Sequence, residues 1–446
     1  MARHANTGST AEIAGGAEVA AAGENAVTAS VPAARVERTQ LPNGLVICTE
    51  YVPGVRSVAL GVWVRSASVH ESREQMGVSH LLEHLVFKGT ARRTARDIAV
   101  ALESRGGALD AYTSRENTAF QAHILDRDLP LAIDLLHDLL FSPLLRDEDL
   151  ALERQVVLDE IALVDDTPDD LVFEEHNALM WGAHPYGYTI LGTRESVGAL
   201  TGSALRAQHA RAFVPSNMVM SAAGNVDHQH VVSLVESAGW GAPGASRPVV
   251  AVPPPQMAPV ATKHIVRDLQ QSHIVFGSTT IPMADPTRPA FLIVSTLLGG
   301  GMSSRLFQHV RERLGLAYAV YGFHSLNSDI GMHGVYVGTA PETTSKARTA
   351  VDDELKRLTD EGVPEDELEL GRQQLLGQYL LSLESPGARM QRAASCELVG
   401  EPFRTVEEVT RRIESVTRDD ALAVARAWFA PERHSVVVLG PKQSDD

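Results

Sequence analysis

Apolar and polar positions along the chain change period repeatedly, and the changes outline two successive sets of strands and helices. Residues 1–35 are rich in Ala, Gly, Thr and Ser and sustain no period, so a disordered extension is expected there and structure from about Val36. Residues 36–51 hold two β-prone runs around Leu41-Pro-Asn-Gly44, whose Asn-Gly step is a hairpin signal. The alternation of Val58, Leu60, Val62 and Val64 predicts a strand over 57–65, and Leu81, Leu82, Leu85 and Val86 then recur at helical spacing over 77–90. Residues 95–104 predict an amphipathic helix stopped by Gly106-Gly107, with a hairpin following over 108–114 and 118–124 and turning at 115–117. Residues 129–140 read as helix. Leu150, Val157, Ile161 and Val164 supply the apolar stripe of a longer one over 147–164.

Residues 241–260 hold six prolines and little else of structural character, which predicts a linker between domains. Beyond it the first outline recurs: a strand at 273–277, a Gly-rich entry into a helix at 299–310 and a strand at 319–324. Two similar halves, 36–240 and 261–446, are therefore expected. The fold class is α+β, each half a mainly antiparallel β-sheet with helices packed on one face.

The helix over 77–90 carries chemistry. His80 and His84 stand at i and i+4, so they share one face a turn apart and can grip a single ion. Glu83 falls on that face too, placed to act on a water bound to the ion rather than to ligate it. The pattern is H-x-x-E-H, the reverse of H-E-x-x-H. Chance produces such a pentapeptide somewhere in a chain of this composition with odds on the order of one in twenty, so a third ligand is the test.

On the 147–164 helix Glu153 and Glu160 lie seven residues apart, two turns, and point the same way. A stacked pair of this kind usually marks a solvated acidic edge. A zinc ion held by two histidines, however, needs a third protein ligand and keeps its fourth position open for catalysis. Glu160, 76 residues after His84, can supply that ligand, with Glu153 behind it to orient one. Aligning Gly77 with Gly301 sets Ser304, Phe307 and Gln308 at the His80, Glu83 and His84 places, so the second half is a repeat without a metal site. It carries Arg311 and Tyr318, which as a bare pattern mean packing and surface, or else donors to a substrate carbonyl and its oxyanion.

A length of 446 residues suits two domains of about 200 residues each. The net charge of −17 argues against nucleic acid or an anionic membrane as partner and is compatible with cationic ligands, although solubility alone accounts for such acidity. Asp169, Asp170, Glu174 and Glu175, just past Glu160, are open to the same two interpretations. Cys48 and Cys396 stand in no metal or redox spacing and are expected as buried thiols. No apolar run approaches the roughly 18 residues of a membrane helix. Residues 1–35 have neither the charged start and apolar core of a signal peptide nor the acid-poor composition of a mitochondrial presequence. A soluble, cytoplasmic bacterial protein is expected.

Five stretches together form a specific set: His80-Leu-Leu-Glu-His-Leu-Val-Phe-Lys-Gly-Thr90; Gly106-Gly107 with Asp110-Ala-Tyr-Thr-Ser-Arg-Glu116; Glu153-Arg-Gln-Val-Val-Leu-Asp-Glu160; Gly187-Tyr-Thr-Ile-Leu-Gly192; and Gly315-Leu-Ala-Tyr318. With them the chain after Val36 resembles the inverzincin metallopeptidases, the pitrilysin group, in the branch that contains mitochondrial processing peptidase and its bacterial relatives. The resemblance implies one zinc ion per chain on His80, His84 and Glu160, Glu83 as general base, Glu153 in support, and Arg311 and Tyr318 as the pair that steadies substrate. It also implies a substrate held as an added β-strand along Asp110-Ala111. The family's usual Asn is Asp110 here, a carboxylate that cannot donate as an amide does. Acidic residues that receive a substrate arginine in processing peptidase match Asp170 and Glu174, and Phe87 would wall the residue after the cut.

The expected protein is thus a zinc metalloendopeptidase for short or unfolded peptides, with Arg upstream of the cut as the finer expectation, working as a homodimer. The alternative is a non-catalytic scaffold or substrate-binding subunit of a heterodimer. Such relatives lack the H-x-x-E-H set that is complete here.

Overall fold

A computed structural model of the chain describes residues 36–242, 252, 254–255 and 258–442. The extension expected over 1–35 and most of the linker expected over 241–260 lie outside the described residues. Six strands, β1 (Val36–Gln40), β2 (Val46–Tyr51), β3 (Ser57–Val64), β4 (Ala108–Thr113), β5 (Thr118–Leu125) and β6 (Met218–Gly224), form one sheet in the order β1-β2-β6-β3-β5-β4. Five more, β7 (Thr262–Val266), β8 (Ser272–Thr280), β9 (Ala317–Leu326), β10 (Gly331–Thr339) and β11 (Ser435–Gly440), form a second in the order β7-β11-β8-β10-β9. Each sheet is antiparallel apart from one pair, β2 with β6 and β7 with β11.

The two sheets are built alike. In each, the last strand of the half inserts beside its central hairpin strand, β6 against β3 and β11 against β8. Each also leaves a polar-edged strand outermost, β4 in the first and β9 in the second. The helices of a half pack on one face of its sheet. In the first half Leu81, Leu82, Leu85, Leu135, Leu136 and Leu139 meet Leu60, Val62 and Phe120 in one buried cluster. In the second, Phe291, Ile293, Val294, Leu355 and Leu358 meet Ile274, Phe276 and Val335.

The other face of each sheet is covered by a helix from the opposite half. The helix Pro168–Trp181 brings Leu171 and Val172 onto Val275, Val437 and Leu439 of β8 and β11. In return the helix Pro386–Val399 brings Met390 and Ala394 onto Ala59, Trp63, Val219 and Ala223 of β3 and β6. This exchange explains why β3 and β8 are buried almost end to end rather than on alternate residues, as a strand covered on both faces must be. The fit is close at Gly277, where an added Cβ would lie 2.2 Å from Cε1 of His176 on the incoming helix. His176 Nε2–H donates to the Ser435 carbonyl at 3.2 Å. A buried Glu50 on β2 pairs with Arg389 of the other exchanged helix.

Candidate metal centre

The helix Val78–Val86 is held by its apolar side. Leu81, Leu82, Leu85 and Val86 are buried, each contributing about 1.5–3 kcal/mol, which leaves His80 and His84 half-buried on the opposite side. Its start is fixed by shape. Gly77 has φ 87° and an added Cβ there would lie 2.5 Å from the Leu191 carbonyl oxygen, so the turn ending at Gly192 presses directly on the helix entry. The loop that follows is anchored by charge, since Thr90 Oγ1 donates to Asp138 at 2.7 Å and Arg93 Nη1 to the same carboxylate at 2.6 Å.

On the facing helix, Asp147–Asp166, Glu160 points at the two histidines. Its Oε2 stands 3.8 Å from His80 Nε2 and its Oε1 3.8 Å from His84 Nε2. The three side chains offer ligand atoms all within 4.8 Å of one another, the only such group of three or more among the described residues. Donors about 2.0–2.2 Å from one tetrahedral ion sit roughly 3.3–3.5 Å apart, so the cluster needs little adjustment to close on one. Its chemistry fits zinc: burial, then the neighbouring His84, lowers the His80 pKa to about 4 and keeps that imidazole neutral, and Glu160 Oε2 is buried without a hydrogen-bond partner.

Support comes from two further carboxylates. Glu153 lies two turns before Glu160; its Oε2 accepts from His84 Nδ1 at 3.2 Å, which turns Nε2 toward the cluster, and its Oε1 meets Lys88 Nζ at 2.6 Å. Glu83 is 9 % exposed, with Oε2 accepting from the Thr113 hydroxyl at 2.6 Å, and burial raises its pKa above the ordinary value.

Three residues to which the sequence reading gave no role stand out. Lys88 follows His84 by four, so helical spacing alone could have flagged it. Thr113 shares the inward face of β4 with Leu109 and Ala111, a parity the hairpin register supplies. Glu71 had no local signal. Its buried carboxylate accepts from the Gly77 and Ser79 backbone N–H groups at 2.8 Å each, capping a helix whose own N-cap residue has no side chain.

Against this geometry stand the comparisons with known proteins. The family model described as insulinase (peptidase family M16) matches residues 46–194, and the one described as peptidase M16 inactive domain matches residues 199–375. The chain belongs to peptidase family M16. An uncharacterized zinc protease of Streptomyces coelicolor is 40 % identical over 416 residues, covering 91 % of this chain and 90 % of the relative. Uncharacterized zinc proteases of Mycobacterium tuberculosis and Bacillus subtilis are 39 % and 33 % identical, each across 91 % of this chain and across 93 % and 98 % of their own lengths.

Two crystal structures share the fold at 20 % identity: a peptidase M16 inactive domain from Pseudomonas fluorescens, TM-score 0.86 over 92 % of this chain and 98 % of that one, and a protease from Helicobacter pylori, TM-score 0.83 over 92 % and 100 %. M16 membership and relatives named zinc proteases support a peptidase function with zinc.

The remaining residues singled out in the sequence lie apart from His80, His84 and Glu160 to different degrees. Phe87, at the end of the metal helix, is half-buried against Phe120, ring centroids 6.2 Å apart. Asp110 is exposed on β4 and Ala111 half-buried beside it. Asp170 is exposed in the first turn of the helix Pro168–Trp181, whereas Glu174 is half-buried, accepting from Thr189 and facing the Arg115 guanidinium. Arg311 lies between the rings of Phe307 and Tyr318, 4.6 and 4.7 Å from their centroids, and Tyr318 is 78 % exposed. Among the described residues neither is bonded to any part of the metal centre. Cys48 is buried and Cys396 half-buried, both free thiols.

Proposed function

We propose that the chain is a zinc-dependent metalloendopeptidase that cuts short or unfolded peptides, with Glu83 as general base. The observation that carries this is the convergence of His80, His84 and Glu160 on one point with Glu83 on the same helix face and Thr113 holding only one of its oxygens. A zinc ion bound there supplies Lewis acidity toward the scissile carbonyl and brings a water's pKa down to about 7. Glu83 then takes the water's proton at Oε1 and passes it to the leaving amine. Thr113 keeps Oε2 in place while this happens, and the Lys88–Glu153–His84 chain fixes the ligating imidazole.

The outer edge of β4 supports binding of the substrate as an added strand, because among the described residues β4 pairs with β5 alone and its last residue, Thr113, touches Glu83. A peptide laid along Asp110 and Ala111 would run toward the metal centre. The helix separated from the Glu160 helix by the single residue Thr167 carries Asp170, which supports a preference for a basic residue, Arg first, upstream of the cut and a large apolar residue against Phe87 after it. A substrate guanidinium would meet exposed Asp170 and share Glu174 with Arg115. The working unit in this proposal is a homodimer in which Arg311 and Tyr318 of one copy serve the other's metal centre.

The deciding experiment measures zinc content and cleavage of a mixed peptide library by the purified protein, before and after chelation, beside Glu83→Gln. Cleavage lost on chelation, restored by zinc and absent in Glu83→Gln is the expected result. A zinc-loaded wild-type protein that binds peptides and cuts none would leave the scaffold alternative in its place.

A further inference from the structure

Outside the metal centre, the loop after the helix Pro386–Val399 and the helix Val406–Glu414 gather arginines around a single buried carboxylate. Glu401, 8 % exposed, is approached by three guanidiniums: Arg288 Nη1 at 2.8 Å, Arg404, and Arg412 at 3.9 Å. One carboxylate balances one of them, so positive charge is left over in a chain whose net charge is −17. Arg412 registers the excess: burial first, then Arg404 and Arg288, lower its pKa from the ordinary value. Arg392 lies over the Phe403 ring at 4.2 Å and donates Nη2 to the Arg404 carbonyl, while its Nη1 is buried without a hydrogen-bond partner.

Beside Glu401 is a surface pocket of about 500 Å³ lined by Pro402, Phe403, Arg404, Arg411, Arg412 and Ser415, with Glu408 its one acidic lining residue. That carboxylate is occupied as the helix cap, accepting from the Thr405 N–H at 2.8 Å. We propose that this pocket binds a phosphate-type oxyanion of two or more negative charges, held by Arg404, Arg411 and Arg412. Every cation lining it is arginine, whose planar fork matches paired phosphate oxygens in a way lysine does not. Three arginine side chains around one surface depression attract an anion locally even though the molecule as a whole repels it. A single carboxylate would leave part of the surplus unmatched. A di- or triphosphate group would not.

Titration calorimetry of the full chain with inorganic triphosphate at low ionic strength tests the proposal, with ATP as a second arm. One saturable site is expected, weakened at least ten-fold by Arg411→Glu and by Arg412→Ala. Arg411 is exposed, so the first of these keeps the fold, and circular dichroism checks the second. Glu408→Gln keeps an oxygen for the helix cap and removes the pocket's acid, so it should tighten binding several-fold. Equal affinities for triphosphate and ATP assign recognition to the phosphate chain, and tighter ATP adds the nucleoside; both uphold the site. No saturable triphosphate binding, binding indifferent to Arg411→Glu, or a glutamate-rich peptide bound in place of triphosphate overturns it.

Discussion

Two backbone N–H groups at the start of the helix Val78–Val86, those of Gly77 and Ser79, end on one buried side chain, Glu71. Truncating it leaves two donors unpaired at about 1–3 kcal/mol each, so Glu71→Ala should lower unfolding free energy by roughly 2–5 kcal/mol and loosen zinc, while Glu71→Asp should restore part of both. Urea unfolding and a zinc competition titration read the two effects; a variant as stable and as tight as wild type would sink the capping role. Within the metal centre the carboxylates divide differently. Glu83→Gln should keep zinc and lose cleavage, Glu160→Ala should lose both, and Glu153→Gln should cost about 10–100-fold in zinc affinity by freeing His84 to rotate. Substantial cleavage by purified Glu83→Gln would end its assignment as base.

At the level of elements, the exchanged helices make a claim that one pair of residues can test. Gly277→Ala drives a Cβ into the His176 ring and should destabilise by about 1–3 kcal/mol, whereas in a His176→Ala background the same change should cost much less. Equal costs in both backgrounds would mean that the helix Pro168–Trp181 does not rest on β8. This packing was invisible in the sequence for a physical reason. Alternation and i, i+4 spacing report which side of an element is buried, so β3, the β4–β5 hairpin and the His80–His84 face were legible. They do not report what covers it. Strands β6 and β11 are buried along their whole length and lack alternation, and their neighbours β2, β3, β7 and β8 lie far from them in the chain. Glu71 and Thr113 reach the metal helix through space in the same way, from positions that no local period marks. Glu153 and Glu160 were legible only because both sit on one helix, two turns apart.

For the described residues as a whole, the exchange packs the two halves into one compact body, and that body carries buried histidines. His176 and His434 are lowered to about 4 by burial, and His333 well below its ordinary value for the same reason. The unfolded chain therefore binds more protons than the folded one between pH 6.5 and 4, and stability should fall on acidification across that window, on the order of 3 kcal/mol each for His176 and His434, with His333 acting in the same direction. Glu71, raised to about 7 by burial, acts in the opposite sense and blunts the loss. Urea midpoints from pH 7 to 4 should drop less in His434→Gln than in wild type. Function at this scale turns on where Arg311 and Tyr318 act. They sit together by the outermost strand of the second sheet, Tyr318 exposed and Arg311 half-buried, and among the described residues neither is bonded to His80, His84, Glu160 or Glu83, so the homodimer proposed above is what would give them a role in the reaction. In a two-fold dimer each metal centre would take its arginine and tyrosine from the other chain. Glu83→Gln and Tyr318→Phe should each be inactive alone, the first for want of a base at its own metal centre and the second for want of a donor at its partner's. Mixed dimers then contain one site with wild-type Glu83 beside wild-type Tyr318, and an equimolar mixture should regain up to about a quarter of wild-type activity if subunits exchange freely. Exchange is followed independently with two fluorescent labels. If the labels mix and activity stays at the level of the parents, each chain uses its own pair and the homodimer proposal is wrong.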